Sequence, residues 1–167
     1  MCIRDRYIGT PYRRGSKGPN RFDCSGFTQY IFNHFSYSLN ASSASQYLQG
    51  ISVKDEEICR GDLVFFKGRN SRRSNVGHVG LVTEVYPDGR FKFIHASTSQ
   101  GIREDWNFSP YYAQRYVGAR RIYFVQIDKR LILDAILELE DIDDNTPFTE
   151  TEKSITPQEF STFVRAE

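Results

Sequence analysis

Three side chains in this sequence could do chemistry together: Cys24 in "RFDCSGF", His78 in "GHVGLV" and His95 in "FIHAST". Asp23 is a good helix N-cap, and Phe27, Tyr30, Ile31 and Phe35 recur at helical spacing behind it. That predicts a helix from about Cys24 to Phe35, with the thiol in its first turn. A thiol there feels the partial positive charge of unpaired backbone N–H groups, which favours thiolate. Reaction also needs a base. A histidine takes the proton, sulfur attacks a carbonyl carbon, and a third polar group holds the imidazole in the right tautomer. The first N–H groups of the helix then serve as oxyanion donors. His78 and His95 fit the base and its orienter. His34 lies inside the same helix, several turns from Cys24, and reads as an ordinary surface or half-buried histidine. Singly, a helix-start cysteine is more often structural and a strand histidine more often packing. The order and spacing of all three carry the reading.

Whether the two histidines can meet depends on one hairpin. "HVGLVTEVYPDGRFKFIHAS" alternates into Pro87, Asp88 and Gly89 and out through Phe91, Phe93 and His95. A four-residue loop, Tyr86 to Gly89, sets Val85 opposite Arg90 and hence Gly80 opposite His95. His78 then shares the His95 face at roughly 7 Å along the strand. A two-residue Asp88-Gly89 loop keeps that face but separates the pair by about 13 Å, too far for one site. A three-residue loop puts them on opposite faces.

Other elements must hold this hairpin and helix together. Residues 7 to 22 are turn-rich and basic, a short helix is expected near Ser45 to Leu48, and "GDLVFFKG" reads as a mostly buried strand. "YVGARRIYFVQI" is the last strand. "LILDAILELEDI" then reads as an acidic amphipathic helix, and "TPQEF" opens a short one with Thr156 as N-cap and Glu159 closing a capping box.

With 167 residues, 39% of them apolar, the chain can bury one core. It has no run of 18 apolar residues and no secretion-signal pattern at its start. Cys2, Cys24 and Cys59 are odd in number and form no C-x-x-C pair, which argues against a disulfide framework or a zinc knuckle. The net charge of +1 is split: residues 131 to 167 hold ten acids and two bases, leaving eleven acids and twenty bases before them. The basic body suits an anionic partner such as a wall polymer or nucleic acid, but no nucleic-acid motif is present and the arginines are scattered.

The blocks "YIGTPYRRGSKGPNRFDCSGF", "GDLVFF", "GHVGLVTEV", "FIHAST" and "YVGARRI" resemble, in order, those of the NlpC/P60 family, papain-like cysteine peptidases that cut bacterial cell-wall peptides. The resemblance spans about residues 7 to 124. It implies an α+β fold with the cysteine helix packed on a central antiparallel sheet. It implies Cys24 as nucleophile, His78 as general base and His95 as orienter, with Tyr12 helping to hold the oxyanion and Asp23 and Ser25 lining the substrate cleft. No metal or other cofactor is required. The implied reaction is hydrolysis of the bond between the γ-carboxyl of D-glutamate and a diamino acid in a peptidoglycan stem peptide. The expected setting is the cell envelope, and the expected state a monomer. Residues 1–6 read as a truncated or non-native start, 7–126 as the catalytic domain and 127–167 as an acidic helical extension. The basic "KGRNSRRSN" stretch reads as a solvated loop or as an attractor of wall phosphates. Competing readings are another amide or acyl substrate for the same thiol, and a wall-binding module that keeps the fold without turnover. A zinc site from Cys24, His78 and His95 lacks a fourth ligand and would block the nucleophile.

Overall fold

Asp23 turns a loop into a helix: its backbone is extended, with φ −94° and ψ 176°, and its Oδ1 accepts the Gly26 N–H at 2.6 Å. Helix α1, Cys24–Asn33, follows in the computed structural model, which describes residues 3–68 and 75–123. The basic stretch at 69–74 and the predicted acidic extension lie outside the described residues. Phe27, Thr28, Ile31 and Phe32 form the buried face of α1. Phe35, expected on that face, falls past the helix end, where Ser36 takes φ 59°, and is 54% exposed. A second short helix, α2 (Ser43–Gln46), is capped by Ser42, whose hydroxyl accepts the Ser45 N–H at 3.1 Å.

Six strands follow: β1 (Ile51–Val53), β2 (Leu63–Lys67), β3 (Val76–Val85), β4 (Phe91–Ser97), β5 (Gly101–Trp106) and β6 (Tyr116–Arg121). They form one antiparallel sheet in the order β1-β6-β2-β3-β4-β5, with helix α3 (Pro110–Ala113) between β5 and β6. The α+β reading holds, with α1 packed on the sheet. β2 is apolar from Leu63 to Phe66 because both of its faces are covered there. Leu63 and Phe65 join α1 in one core with Leu81 and Ile94, while Val64 and Phe66 join Val82, Phe93 and Ala119 in a second. A 3₁₀ turn spans Ile3–Tyr7, and Tyr7 packs against the first core with its hydroxyl donating to that of Tyr30 at 2.9 Å.

The β3–β4 turn is the three-residue one. Tyr86 N–H donates to the Arg90 carbonyl at 2.8 Å and Gly89, at φ 81°, donates back to the Tyr86 carbonyl at 3.0 Å. Val85 accordingly faces Phe91, not Arg90, and Glu84 faces Lys92. That loop alone would split the two histidines between faces. A bulge at Thr83 adds one residue to β3, so that Val82 faces Phe93 and Leu81 faces Ile94. The bulge restores beside the histidines the register of a four-residue loop. Among the described residues, no helix is long and apolar enough to cross a membrane.

Candidate active site

Phe66 lies opposite His78 in the β2–β3 pair, and its ring packs on Phe93 and Tyr112 in the second core. His95, two residues beyond Phe93 on β4, is 1% exposed and stands with its ring 5.2 Å from Phe93 and 5.3 Å from Tyr112. The two imidazoles meet edge to face, with His78 Nε2 at 3.0 Å from His95 Nδ1. Register and bulge have thus put both rings in hydrogen-bonding contact.

The other nitrogen of His95 settles its own proton. His95 Nε2 lies 2.9 Å from Asp105 Oδ2, on β5, where Asp105 sits opposite Phe93. Burial works to raise the Asp105 carboxyl, but His95, Arg103 and Tyr112 together outweigh it and hold the group below its usual range. An ionised carboxylate only accepts, so His95 Nε2 carries a hydrogen and donates it. Arg103 Nη2 donates to the other oxygen at 2.6 Å. The Tyr112 hydroxyl, 3.1 Å from His95 Nε2, also bonds Asp105, and it titrates well above an ordinary phenol because of burial and the Asp105 charge. Between His78 Nε2 and His95 Nδ1 there is room for one hydrogen. Loss of water around the His78 ring, and then the nearby His95, push it down to about 3, with Asp105 acting the other way.

Cys24 comes to the same place from the other core. Its side chain packs against the α1 cluster and, with His78, His95 and Tyr12, lines a cleft of about 640 Å³. The expected thiolate bias from the helix start is not what dominates. Burial raises the thiol first, the Asp23 carboxylate raises it further, and the N–H groups of Val79, Ser25 and Cys24 itself only partly offset them. Asp23 caps the helix and so brings its own negative charge to the sulfur. The phenol of Tyr12 is raised by burial and by the neighbouring Cys24 and Asp23, which keeps it a hydroxyl donor at neutral pH.

The structure brings Cys24, His78, His95 and Tyr12 together, and leaves Asp23 and Ser25 off the cleft wall. Those two build the helix start instead: Asp23 accepts from Gly26 and Gly15, and the buried Ser25 hydroxyl donates to the Ala41 carbonyl at 2.9 Å. His34, exposed, has its Nδ1 at 2.8 Å from the Tyr30 carbonyl and does not line the cleft. Sequence reasoning missed Asp105, Tyr112 and Arg103. The available signal was the alternation in "GIREDW" after a Ser- and Gly-containing turn, which would have made β5 a partner of the His95 strand.

The sequence model of the NlpC/P60 family matches residues 9–121. The murein DD-endopeptidase MepS/murein LD-carboxypeptidase of Escherichia coli (strain K12) is 36% identical over 124 residues, 72% of this chain and 61% of that protein. The gamma-DL-glutamyl hydrolase of Bacillus subtilis (strain 168) is 32% identical over 127 residues, 75% of this chain and 29% of that protein. Among solved structures, an NlpC/P60 family protein from Bacillus cereus is similar with TM-score 0.63 and 29% identity, covering 71% of this chain and 37% of that one. The chain spans less than two thirds of the length of each of these relatives.

Proposed function

Because the chain belongs to the NlpC/P60 family across residues 9–121, we propose that it is a cysteine endopeptidase acting on peptidoglycan stem peptides in the cell envelope. The bond proposed is the one between the γ-carboxyl of D-glutamate and a diamino acid. The observation that carries the reading is the chain of contacts Asp105–His95–His78 ending at the cleft that Cys24 lines. Asp105 accepts from His95, His95 Nδ1 accepts from His78 Nε2, and His78 Nδ1 is left as the nitrogen available to the thiol. Cys24 and His78 start as a neutral pair, so the thiol proton passes to Nδ1 as sulfur attacks the carbonyl carbon.

The tetrahedral oxyanion then takes hydrogen bonds from the Tyr12 hydroxyl and from N–H groups at the start of α1. His78, now cationic and held by His95 and Asp105, returns its proton to the leaving amine as the C–N bond breaks. Water attacks the thioester with His78 as base, the C–S bond breaks, and the acid product and the thiol are released.

The test is mass spectrometry of peptides released from purified peptidoglycan by the protein and by its Cys24→Ala variant. Fragments ending at D-glutamate, absent with the variant, are expected. The name of the Escherichia coli relative points to a D,D bond, and fragments opened at such a bond would move the assignment there. No release from walls of either diamino-acid type would overturn the peptidase reading.

A further inference from the structure

Two cations in the cleft, Lys67 and Arg115, have no acidic partner among the described residues. The N–H of Lys67, at the end of β2, donates to the carbonyl of Arg115 at 2.7 Å, which sets these residues side by side on the wall of the cleft that Cys24 lines. The Arg115 guanidinium lies 3.9 Å over the Tyr111 ring, and its Nη1 donates to the Tyr111 carbonyl at 3.0 Å. The fork is therefore held flat and fixed before any ligand arrives. Its Nε is buried and has no acceptor among the described residues. Asp105 is the one carboxylate among the described residues that line the cleft, and it is occupied by His95, Tyr112 and Arg103. Two neighbouring cations on the cleft wall, neither with an acidic partner among the described residues, repel each other and attract an anion that enters the cleft.

We infer that Lys67 and Arg115 form a carboxylate subsite that reads a free α-carboxylate beside the scissile bond, so that the same peptide with a carboxamide there is a poor substrate. The inference rests on the proposed γ-glutamyl specificity. A γ-linkage uses the side-chain carboxyl, which leaves the α-carboxyl of that residue free and close to the reacting carbonyl. The Arg115 guanidinium, fixed on the Tyr111 ring, offers a planar cation to a carboxylate in the cleft, and Lys67 adds a second charge beside it. A carboxamide has nearly the same shape but turns one acceptor into a donor facing donors, and loses the charge.

Binding is read first, by calorimetry on the Cys24→Ala protein with an L-alanyl-γ-D-glutamyl-diamino acid peptide and its D-isoglutamine counterpart. The carboxylate peptide is expected to bind about tenfold more tightly or better. Adding Arg115→Gln, or separately Lys67→Gln, is expected to remove most of that preference while leaving carboxamide binding within about twofold, which also shows that the variant is folded. Equal affinities, equal losses for both peptides in the variants, or no binding of either peptide would overturn the inference. Turnover of both peptides with Cys24 intact separates the two readings. Cleavage of both at equal kcat/KM removes the subsite and keeps the peptidase, whereas selective binding without cleavage keeps the subsite and removes the peptidase.

Discussion

Asp105 is the residue at which charge and geometry can be separated. In Asp105→Asn, Arg103 can only donate, so the amide must turn its carbonyl oxygen to Arg103 and its NH₂ to His95. His95 Nε2 then has to accept, its hydrogen moves to Nδ1, and His78 is forced to carry its own hydrogen on Nδ1. The base loses the lone pair it would offer to Cys24. The expected result is a fall in kcat of about 10²–10⁴-fold with KM nearly unchanged and folding intact, read by steady-state kinetics and thermal melting. A loss confined to KM would mean that Asp105 shapes the cleft rather than the tautomer. Cys24 gives a second test at this scale. Since burial and Asp23 raise the thiol and desolvation lowers His78, alkylation by iodoacetamide should be slow at pH 5 and rise continuously above pH 7. A rate plateau at mildly acidic pH would reveal an ion pair and refute the neutral resting state.

At the scale of elements, the β3–β4 hairpin does the positioning, and two of its residues can be tested. Gly80 has no room for a side chain: a Cβ there would stand 2.5 Å from the Phe93 ring, which is fully buried between Phe66 and Tyr112. Gly80→Ala should therefore cost about 1–3 kcal/mol in urea unfolding, and lower activity because Phe93 supports His95. Thr83, the bulge residue, has a buried hydroxyl with no hydrogen-bond partner among the described residues. Thr83→Val should leave stability unchanged or raise it by about 1 kcal/mol, and a large loss would show that the hydroxyl has a partner. The same hairpin marks how far sequence could go. α1, β2, β3 and β4 were legible because helical spacing, a two-sided apolar run and alternation are local signals. The bulge was not, because one extra residue leaves no pattern until the strand is paired, and whether the two histidines can meet depends on it. β5 escaped for a related reason: Arg103 and Asp105 look like surface charges until their pairing with His95 and Phe93 is known.

At the scale of the whole described domain, two cores share the strands of one sheet, with the thiol packed against the first and the His78 ring beside Phe66 of the second. Such a unit should unfold cooperatively, and its response to acid follows from His78. The folded group titrates at about 3, below its ordinary value near 6.5. The unfolded chain therefore binds a proton there that the native state refuses, and stability rises with pH across that interval. The contribution is complete above about pH 6.5 and is lost as pH falls towards about 3. Asp105, whose carboxyl is also held low, contributes in a separate window, lost only as pH falls below the ordinary carboxylate range near 4. Melting between pH 6.5 and 5 thus isolates the histidine. The wild-type midpoint should fall steadily over that range, while His78→Gln, which cannot titrate, should hold nearly constant. A wild-type curve as flat as the variant's would mean that water reaches the ring. In that case His78 would rest partly protonated near neutral pH, and the neutral thiol–imidazole start of the proposed reaction would have to be replaced by an ion pair.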